Sequence, residues 1–329
     1  MRKRPFRCGL EELGNDLYAW MQPDGGWGWS NAGFIRDGET SMLVDTLFDE
    51  PLTAGMLKAI EDATGIAPGE IGTLVNTHAN GDHTHGNALV PNAEVIASNA
   101  AGREMMELPP AALAKLKAAG ATGALGEAGE HFAKVFAPFD FSRARGRAPT
   151  RTFDKRLDLR VGDKAVELHM LGPAHTEGDT LVWLPGERVV YTGDLLFIDS
   201  TPVMWSGSVD NWLAACERIL SFGAEYIVPG HGPITDATGV RRVQEYLRFL
   251  DREVRIRFDA GMPAEQTALD IALGEFRHWL EPERIAVNVV TLYRGYQGDS
   301  SVPDMVSLFG LMARVRRSSR KRWYEGASA

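Results

Sequence analysis

The chain has 329 residues, a length that corresponds to about two domains or to one enlarged α/β domain. Hydrophobic residues make up 44% and charged residues 24% of it, a globular composition that excludes disorder as the main state. Its formal net charge of −9 excludes the basic face that a general nucleic-acid or membrane-surface binder needs.

The first part of the chain predicts short strands separated by turns that contain glycine. Strands are predicted at residues 16–21, 31–36, 41–45 and 71–76. The second and third of these pair as a hairpin, because Asp37-Gly38 between them is a strong turn signal. Residues 51–64 have the apolar spacing of a helix, and Gly65 is the expected stop.

The composition changes at residues 103–140, which are rich in Ala, Leu, Lys and Glu and predict two or three short helices as an insertion. Strands are then predicted at residues 157–161, 165–171, 180–184, 188–191 and 226–228. A helix is predicted from the N-cap Ser208 to Phe222, and the pattern is helical from residue 235 to about 318. This order predicts a layered α/β or α+β domain with a helical C-terminal extension.

Histidine or aspartate residues follow four of the predicted strands, in short loops that contain glycine. These residues are His78, His83, His175, Asp194 and His231. Rigid scaffolds carry their chemistry on such loops, and imidazole together with carboxylate is a ligand set for zinc, iron or manganese. One such histidine alone is more often a hydrogen-bonded loop residue, but repetition at four strand ends predicts a metal site.

The order of these residues resembles that of the metallo-β-lactamase superfamily. The segment Thr77-His-Ala-Asn-Gly-Asp-His83 is similar to the family's His-x-His-x-Asp-His motif, and Pro229-Gly-His-Gly-Pro233 is similar to its Pro-Gly-His-Gly loop. The resemblance spans residues 15–236 and implies an α+β fold, a four-layer αββα sandwich with metals at one edge of the sheets. Residues 1–236 would then form this domain, with the insertion at about 103–140, and residues 237–329 a helical extension.

The resemblance also implies the metal ligands. A first metal would be held by His78 and His175, a second by Asp82, His83 and His231, with Asp194 as the bridge. The sequence departs from the motif at Asn80, which stands where the second histidine is expected and is a weaker zinc ligand. Asn80 is expected to weaken the first site or to contact bound water or substrate. His85 is either a replacement ligand or, as we favour, a polar residue that begins the next helix.

The chemistry that the resemblance implies is hydrolysis of an ester, thioester, lactone or amide by a metal-bound hydroxide, with Asp82 as the catalytic residue that orients the water. One or two zinc ions are expected, with iron or manganese as alternatives. A second interpretation is a persulfide dioxygenase with one Fe(II) held by His78, His175 and Asp194. A third is a non-catalytic binding protein, and metal content separates the three.

The substrate is expected to be a small molecule that is bound in part by tryptophan. The turn Gly25-Gly-Trp-Gly-Trp-Ser30 is predicted to be mobile, so that Trp27 and Trp29 cover an apolar substrate. The alternative is that both indoles pack on the sheet below. Trp205 is expected to form a further wall of the same site.

The remaining features predict where the protein acts and with what. No apolar signal region follows the basic start, and no run approaches the roughly 18 apolar residues that span a bilayer. We therefore expect a cytoplasmic protein without nucleic-acid or membrane partners, with a homodimer left open. The isolated Cys8 and Cys216 predict no disulfide framework. The basic residues 314–322 are predicted to be a solvated helix end, or alternatively a contact with an anionic partner or a neighbouring subunit.

Overall fold

A computed structural model describes residues 6–105, 107, 109–301 and 303–319. The strands are β1 (Gly9–Gly14), β2 (Leu17–Met21), β3 (Ala32–Asp37), β4 (Thr40–Val44), β5 (Thr73–Val75), β6 (Glu94–Ser98), β7 (Arg151–Phe153), β8 (Arg156–Val161), β9 (Lys164–Met170), β10 (Thr180–Leu184), β11 (Val189–Tyr191) and β12 (Tyr226–Val228). The helices are α1 (Glu50–Thr64), α2 (Gly81–Thr84), α3 (Asn99–Glu104), α4 (Pro110–Ala121), α5 (Gly126–Val135), α6 (Val209–Ser221), α7 (Ala237–Asp259), α8 (Ala264–Asp270), α9 (Ile285–Gln297) and α10 (Met305–Ser319).

The strands form two sheets of seven and five members. In the first sheet the spatial order follows the chain from β1 to β7, antiparallel as far as β4 and parallel beyond it. In the second sheet the order is β12-β11-β10-β9-β8, and only the β11–β12 pair is parallel. Every residue of β10 is buried, as expected for a strand that is covered on both faces.

Three hydrophobic clusters give the fold its layers. Met56 and Ile60 of α1 pack on the outer face of the first sheet. Residues such as Val75 and Val182 fill the space between the two sheets. Trp212 of α6 belongs to the cluster on the far side of the second sheet. The layers are therefore helix, sheet, sheet and helix, which confirms the predicted αββα sandwich.

Local sequence signals explain where the elements begin and end. Helix α1 begins after Asp49, whose side chain accepts a hydrogen bond from Leu52 N at 2.9 Å, and it ends at Gly65 with a φ of 76°. Helix α6 begins after Ser208, as predicted, because that hydroxyl caps Asn211 N. The β3–β4 hairpin turns at the predicted Asp37-Gly38 pair.

The insertion and the C-terminal helices pack on each other. Leu113 of α4 and Phe132 of α5 belong to the same cluster as Phe309 and Met312 of α10. That cluster also contains residues of the second sheet, so the C-terminal helices and the sandwich share a hydrophobic core. The domain division at residue 236 stays a prediction, and α7 begins there with Asp236 as its N-cap.

The basic residues near the C-terminus that the structure describes are partly exposed, as predicted for a solvated helix end, and they also form ion pairs within the chain. Arg314 pairs with Glu265 at 3.1 Å, Arg316 pairs with Glu281 at 3.0 Å, and Arg317 pairs with Glu127. Carboxylates of α5, α8 and the segment before α9 thus hold this end of α10. The remainder of the basic stretch, residues 320–322, lies outside the described residues.

Neither cysteine contributes a disulfide bond to the fold. Cys8 is exposed and Cys216 is buried, and both are free thiols. Within the described ranges, no helix combines the length and the apolar character that crossing a bilayer requires.

The two sheets meet closely at Gly33. A Cβ atom on this residue of β3 would overlap the ring of Tyr191 on β11. The ring cannot easily move, because the buried Tyr191 hydroxyl donates a hydrogen bond to Tyr18 O at 2.9 Å. The approach of the two sheets therefore requires glycine at this position.

We expect Gly33→Ala to lower the free energy of unfolding by about 1–3 kcal/mol, the range typical of overpacking. Denaturant unfolding measures this change. The matched control is Gly55→Ala on the exposed face of α1, where no atom lies within 4 Å of the added methyl group. This control should leave stability unchanged or raise it by up to about 1 kcal/mol. Wild-type stability of Gly33→Ala would contradict the expectation.

Candidate metal centre

Six of the side chains predicted as metal ligands converge at one edge of the two sheets. Each lies in a loop or a short turn that follows β5, β9, β11 or β12. They form two groups, and within each group the ligand atoms lie within 4.8 Å of one another. The first group is His78, His175 and Asp194, and the second is Asp82, His83 and His231.

Asp194 stands between the two groups and contacts histidines of both. Its Oδ2 lies 3.2 Å from His175 Nε2 and 3.7 Å from His78 Nε2 in the first group. In the second group its Oδ1 lies 3.1 Å from His83 Nε2, and its Oδ2 lies 3.4 Å from His231 Nε2. The carboxylate therefore occupies the position that a bridging ligand requires.

Hydrogen bonds behind the rings fix three histidines with Nε2 facing the centre. His83 Nδ1 donates to Asp45 Oδ2 at 2.8 Å, and His175 Nδ1 donates to Val203 O at 2.6 Å. His78 Nδ1 lies 3.0 Å from Thr77 Oγ1, whose own proton goes to Asp45. With Nδ1 protonated, the neutral ring presents the Nε2 lone pair, which is the form that binds a metal.

Several of the atoms that face the centre are buried and make no hydrogen bond. Among the described side chains these include His78 Nε2, His83 Nε2 and Asp194 Oδ1. Buried polar atoms are seldom left in this state, because removing them from water without a partner costs free energy. Imidazole nitrogens and carboxylate oxygens at this spacing fit a divalent transition metal. The residues present therefore fit the metal that the ligand pattern implies.

Burial and mutual charge set the electrostatics of the centre. Burial lowers the pKa of His78 well below its ordinary value, because desolvation disfavours the imidazolium form. Burial also opposes protonation of His83, but the Asp194 and Asp45 carboxylates outweigh it and raise the pKa of that ring. The pKa of Asp194 is held well below its usual range, because the surrounding histidines overcome its desolvation. A carboxylate that stays ionised is available as a ligand.

Asn80 lies against the first group. Its side-chain nitrogen is 2.9 Å from His175 Nε2, and the residue also lines the adjacent cavity. Rotating the Asn80 amide by 180° about its Cβ–Cγ bond would place Oδ1 where Nδ2 now lies, because the two atoms are nearly equal in size. Asn80 therefore offers both a hydrogen-bond donor and a hydrogen-bond acceptor beside the first group.

His85 is not brought into either group. Its ring packs 5.5 Å from the ring of Phe48 and 6.2 Å from that of Phe141. Burial lowers the pKa of His85 to about 4. The interpretation of His85 as a replacement ligand therefore finds no geometric support, since aromatic packing holds the ring elsewhere.

Two of the three tryptophans predicted to bind substrate line a cavity beside the metal centre. Trp27 and Trp205 line it, with their ring centroids 6.4 Å apart. Trp29 is not in the lining, because its indole packs at 4.7 Å on the ring of Phe139.

Residues 25–28 are buried, which corrects the prediction of a mobile turn. The glycines there permit close packing, since a Cβ at Gly28 would overlap the Phe48 ring.

The cavity has a volume of about 380 Å³, and ligands of both groups line it. Its lining contains Arg284 and Glu104, two residues that the sequence analysis did not find. Burial raises the pKa of Glu104 to about 7. Neither residue belongs to a motif, and only tertiary packing brings the segment before α9 and the end of α3 to this site.

The fold and the grouped ligands together define a protein with a candidate metal centre on an αββα sandwich. The chain belongs to the metallo-β-lactamase superfamily, because the sequence model of that family matches residues 25–231. A similar curated protein is the Beta-lactamase-like protein 2 homolog of Caenorhabditis elegans. It is 24% identical over 243 residues, which cover 74% of this chain and 69% of that protein.

Solved structures show the same fold. The sec-alkylsulfatase Pisa1 from Pseudomonas sp. matches with a TM-score of 0.67 and 17% identity, over 89% of this chain and 51% of that chain. This chain thus spans about half of the alkylsulfatase chain. A metallo-β-lactamase from Pontibacter korlensis matches with a TM-score of 0.53 and 16% identity, over 74% of this chain and 99% of that chain.

We expect Asn80→His to tighten metal binding at the first group, because imidazole is a stronger zinc ligand than an amide. Calorimetric titration of zinc into chelator-stripped protein should show one tight and one weak event in the native chain. The weak event should tighten in Asn80→His. The exposed Asn92→His is the matched control and should titrate like the native protein. Two equally tight events in the native protein would contradict this expectation.

Proposed function

We propose that the protein is a metal-dependent hydrolase that acts on the carbonyl group of an ester, thioester, lactone or amide in a small molecule. The observation that carries the proposal is the buried set of six ligands, with unpartnered Nε2 and carboxylate atoms facing one another beside a cavity. Superfamily membership and the alkylsulfatase and β-lactamases among the structural neighbours support a hydrolytic reaction.

The metal that we propose is zinc, as one or two ions held by the two groups. A bound zinc ion would supply a water molecule whose pKa falls from about 15.7 toward 7, and it would polarise the carbonyl oxygen. His78, His175 and Asp194 would hold one ion, and His83, His231 and Asp82 would hold the other. The bridging position of Asp194 would keep the two ions together.

Asp82 is the residue that we propose to orient the attacking water. Its side chain is 13% exposed, against 3% or less for the other five ligands, and it lines the cavity. One of its oxygens, Oδ2, lies 3.3 Å from His231 Nε2, which fixes the plane of the carboxylate. His231 is itself held by stacking on Phe197, with the rings 5.0 Å apart and 7° from parallel. A carboxylate fixed in this way can accept a proton from water within hydrogen-bond reach.

The walls of the cavity are suited to a small organic substrate. They include the aromatic rings of Trp27, Phe136 and Trp205, with polar groups of the metal centre at the inner end. An apolar pocket with a few convergent polar groups is the usual form of a small-molecule site. Such walls also exclude bulk water, which strengthens the electrostatic interactions inside.

A second candidate is a mononuclear Fe(II) dioxygenase, and one observation favours it. His78, His175 and Asp194 form a group of two histidines and one carboxylate, which is the composition of a facial triad. The intact second group favours the hydrolase, because a single iron would not require Asp82, His83 and His231. Metal identity separates the two candidates.

We expect the purified protein to contain zinc, and we expect chelation to abolish hydrolysis that zinc then restores. Elemental analysis measures the metal, and a panel of 4-nitrophenyl esters, thioesters and lactones measures activity before and after dialysis against a chelator. A single oxygen-sensitive iron would instead favour the dioxygenase. Activity in protein that is free of transition metal would overturn the hydrolase proposal.

We expect Asp82→Ala and His231→Ala each to lower kcat/KM by at least ~10²-fold, the scale for loss of a positioned catalytic group. Both variants should retain the fold, because these side chains lie in loops outside the sheet cores. The control is Asp158→Ala, an exposed aspartate paired with Arg156, which should leave both activity and melting temperature nearly unchanged. Near-normal turnover in either active-site variant would remove the second group from the mechanism.

A further inference from the structure

Arg284 places a buried positive charge beside the metal centre. The residue immediately precedes α9 and is only 1% exposed. Its side chain lines the same cavity as His175, Asp194 and His231. Among the described lining residues it is the only arginine or lysine. The cavity that we assign to the substrate therefore contains one fixed cation.

The nearest acidic residues in the sequence form their ion pairs with another arginine and not with Arg284. Glu281 and Glu283 both direct their carboxylates to the guanidinium of Arg316 on α10. In the part of the chain that the structure describes, no carboxylate oxygen lies within 4.0 Å of a nitrogen of Arg284. Arg284 is therefore buried without an ion-pair partner.

The groups in direct contact with the guanidinium are neutral, while four carboxylates farther away favour its charged form. One terminal nitrogen donates to Ser200 Oγ and to Thr201 O, both at 3.0 Å. The guanidinium carbon lies 4.3 Å from the centroid of the Trp27 ring, an arrangement that supplies some cation–π attraction. Its Nε is buried and has no acceptor among the described residues. A buried charge with an unused donor is unfavourable until an anion completes its surroundings.

We propose that Arg284 binds an anionic oxygen group of the substrate, which is a carboxylate, a sulfate or a phosphate. The guanidinium presents several N–H donors in one plane, an arrangement that matches such groups. The apolar part of the substrate would lie against side chains of the insertion and of α10. These are Leu113, Phe132, Phe136, Met305 and Phe309. The substrate class is thus a small amphiphilic anion, and its hydrolysis rests on the function proposed above.

The acidic residues of the cavity leave room for an anion. Besides the candidate metal ligands Asp82 and Asp194, the residues Glu104 and Glu107 line the cavity. Burial raises the pKa of Glu104 to about 7, which favours its neutral form and so reduces its repulsion of an anion. Glu107 is exposed, so water screens its charge.

The first test measures binding without turnover. Benzoate, inorganic sulfate and inorganic phosphate are titrated separately, by calorimetry, into the metal-loaded protein and its variants. We expect the native protein to bind at least one of the three, and Arg284→Gln to bind it about tenfold or more weakly, as loss of a hydrogen bond to a charged group predicts. The preferred anion shows which oxygen group the site accepts. The exposed Arg277→Gln is the control and should bind like the native protein.

A structural role for Arg284 gives a different result. Arg284→Gln would then lower the melting temperature and leave the affinity for the anions unchanged, which would overturn the proposal. If Arg284→Gln fails to fold, Arg284→Lys retains the charge without the planar donors, and its affinity should still fall. Native-like affinity in a folded Arg284→Lys, or no binding of any of the three anions by the native protein, would also overturn it.

The second test separates this proposal from the proposed reaction. Two 4-nitrophenyl esters with the same leaving group are compared, the neutral butyrate and the anionic monosuccinate. We expect Arg284→Gln to lower kcat/KM for the anionic ester, chiefly through KM, by about tenfold or more beyond any change for the neutral ester. If the native protein cleaves neither ester, these substrates do not support the proposed hydrolysis, while the calorimetric result still decides the anion site. An equal effect on both esters would overturn the role of Arg284.

Discussion

The candidate metal centre depends on one buried carboxylate, Asp45, which lies outside both ligand groups. Asp45 accepts hydrogen bonds from His83 Nδ1 at 2.8 Å and from the backbone and hydroxyl groups of Thr77, each at 2.7 Å. Through Thr77 it also fixes the ring of His78. Asp45 has a φ of 64°, a conformation that non-glycine residues adopt only rarely. The surrounding bonds hold it there, and without them two of the candidate ligand rings would lose their orientation.

The sandwich explains why these ligands come together at all. Strands of both sheets end at the same edge, so loops that are distant in sequence face one another there. Two glycines allow their backbones to approach closely enough. A Cβ on Gly230 would overlap Asp194 Oδ1, and a Cβ on Gly193, which has a φ of 50°, would overlap the Thr77 hydroxyl. The glycines next to Asp194 and His231 are therefore part of the site, because they set the distance between its two halves.

The secondary-structure elements and ligand positions that depend on short-range signals and motifs could be predicted from the sequence. The β3–β4 hairpin and the starts of α1 and α6 have local causes in turn and capping residues. Strands β1, β6 and β7 were not predicted, because Gly9–Gly14 lacks residues that favour strands and β7 has only three residues. The ligand positions could be proposed from motif spacing, whereas Asp45 and Arg284 could not. Their roles arise from contacts between residues that are 38 and 84 positions apart, which no local pattern encodes.

The candidate metal ligands and one part of the cavity wall lie in different parts of the chain. The six candidate ligands all lie within residues 25–231, the part that the superfamily shares. Most of the cavity lining also lies within residues 25–231, and the C-terminal helical part adds Arg284, Met305 and Phe309 to it. Helix α10 also engages Glu281 and Glu283 through Arg316, so these carboxylates form their direct contacts with Arg316 and not with Arg284. The C-terminal helices therefore contribute one buried cation and part of the apolar wall to a cavity whose candidate metal ligands all come from the shared part of the chain.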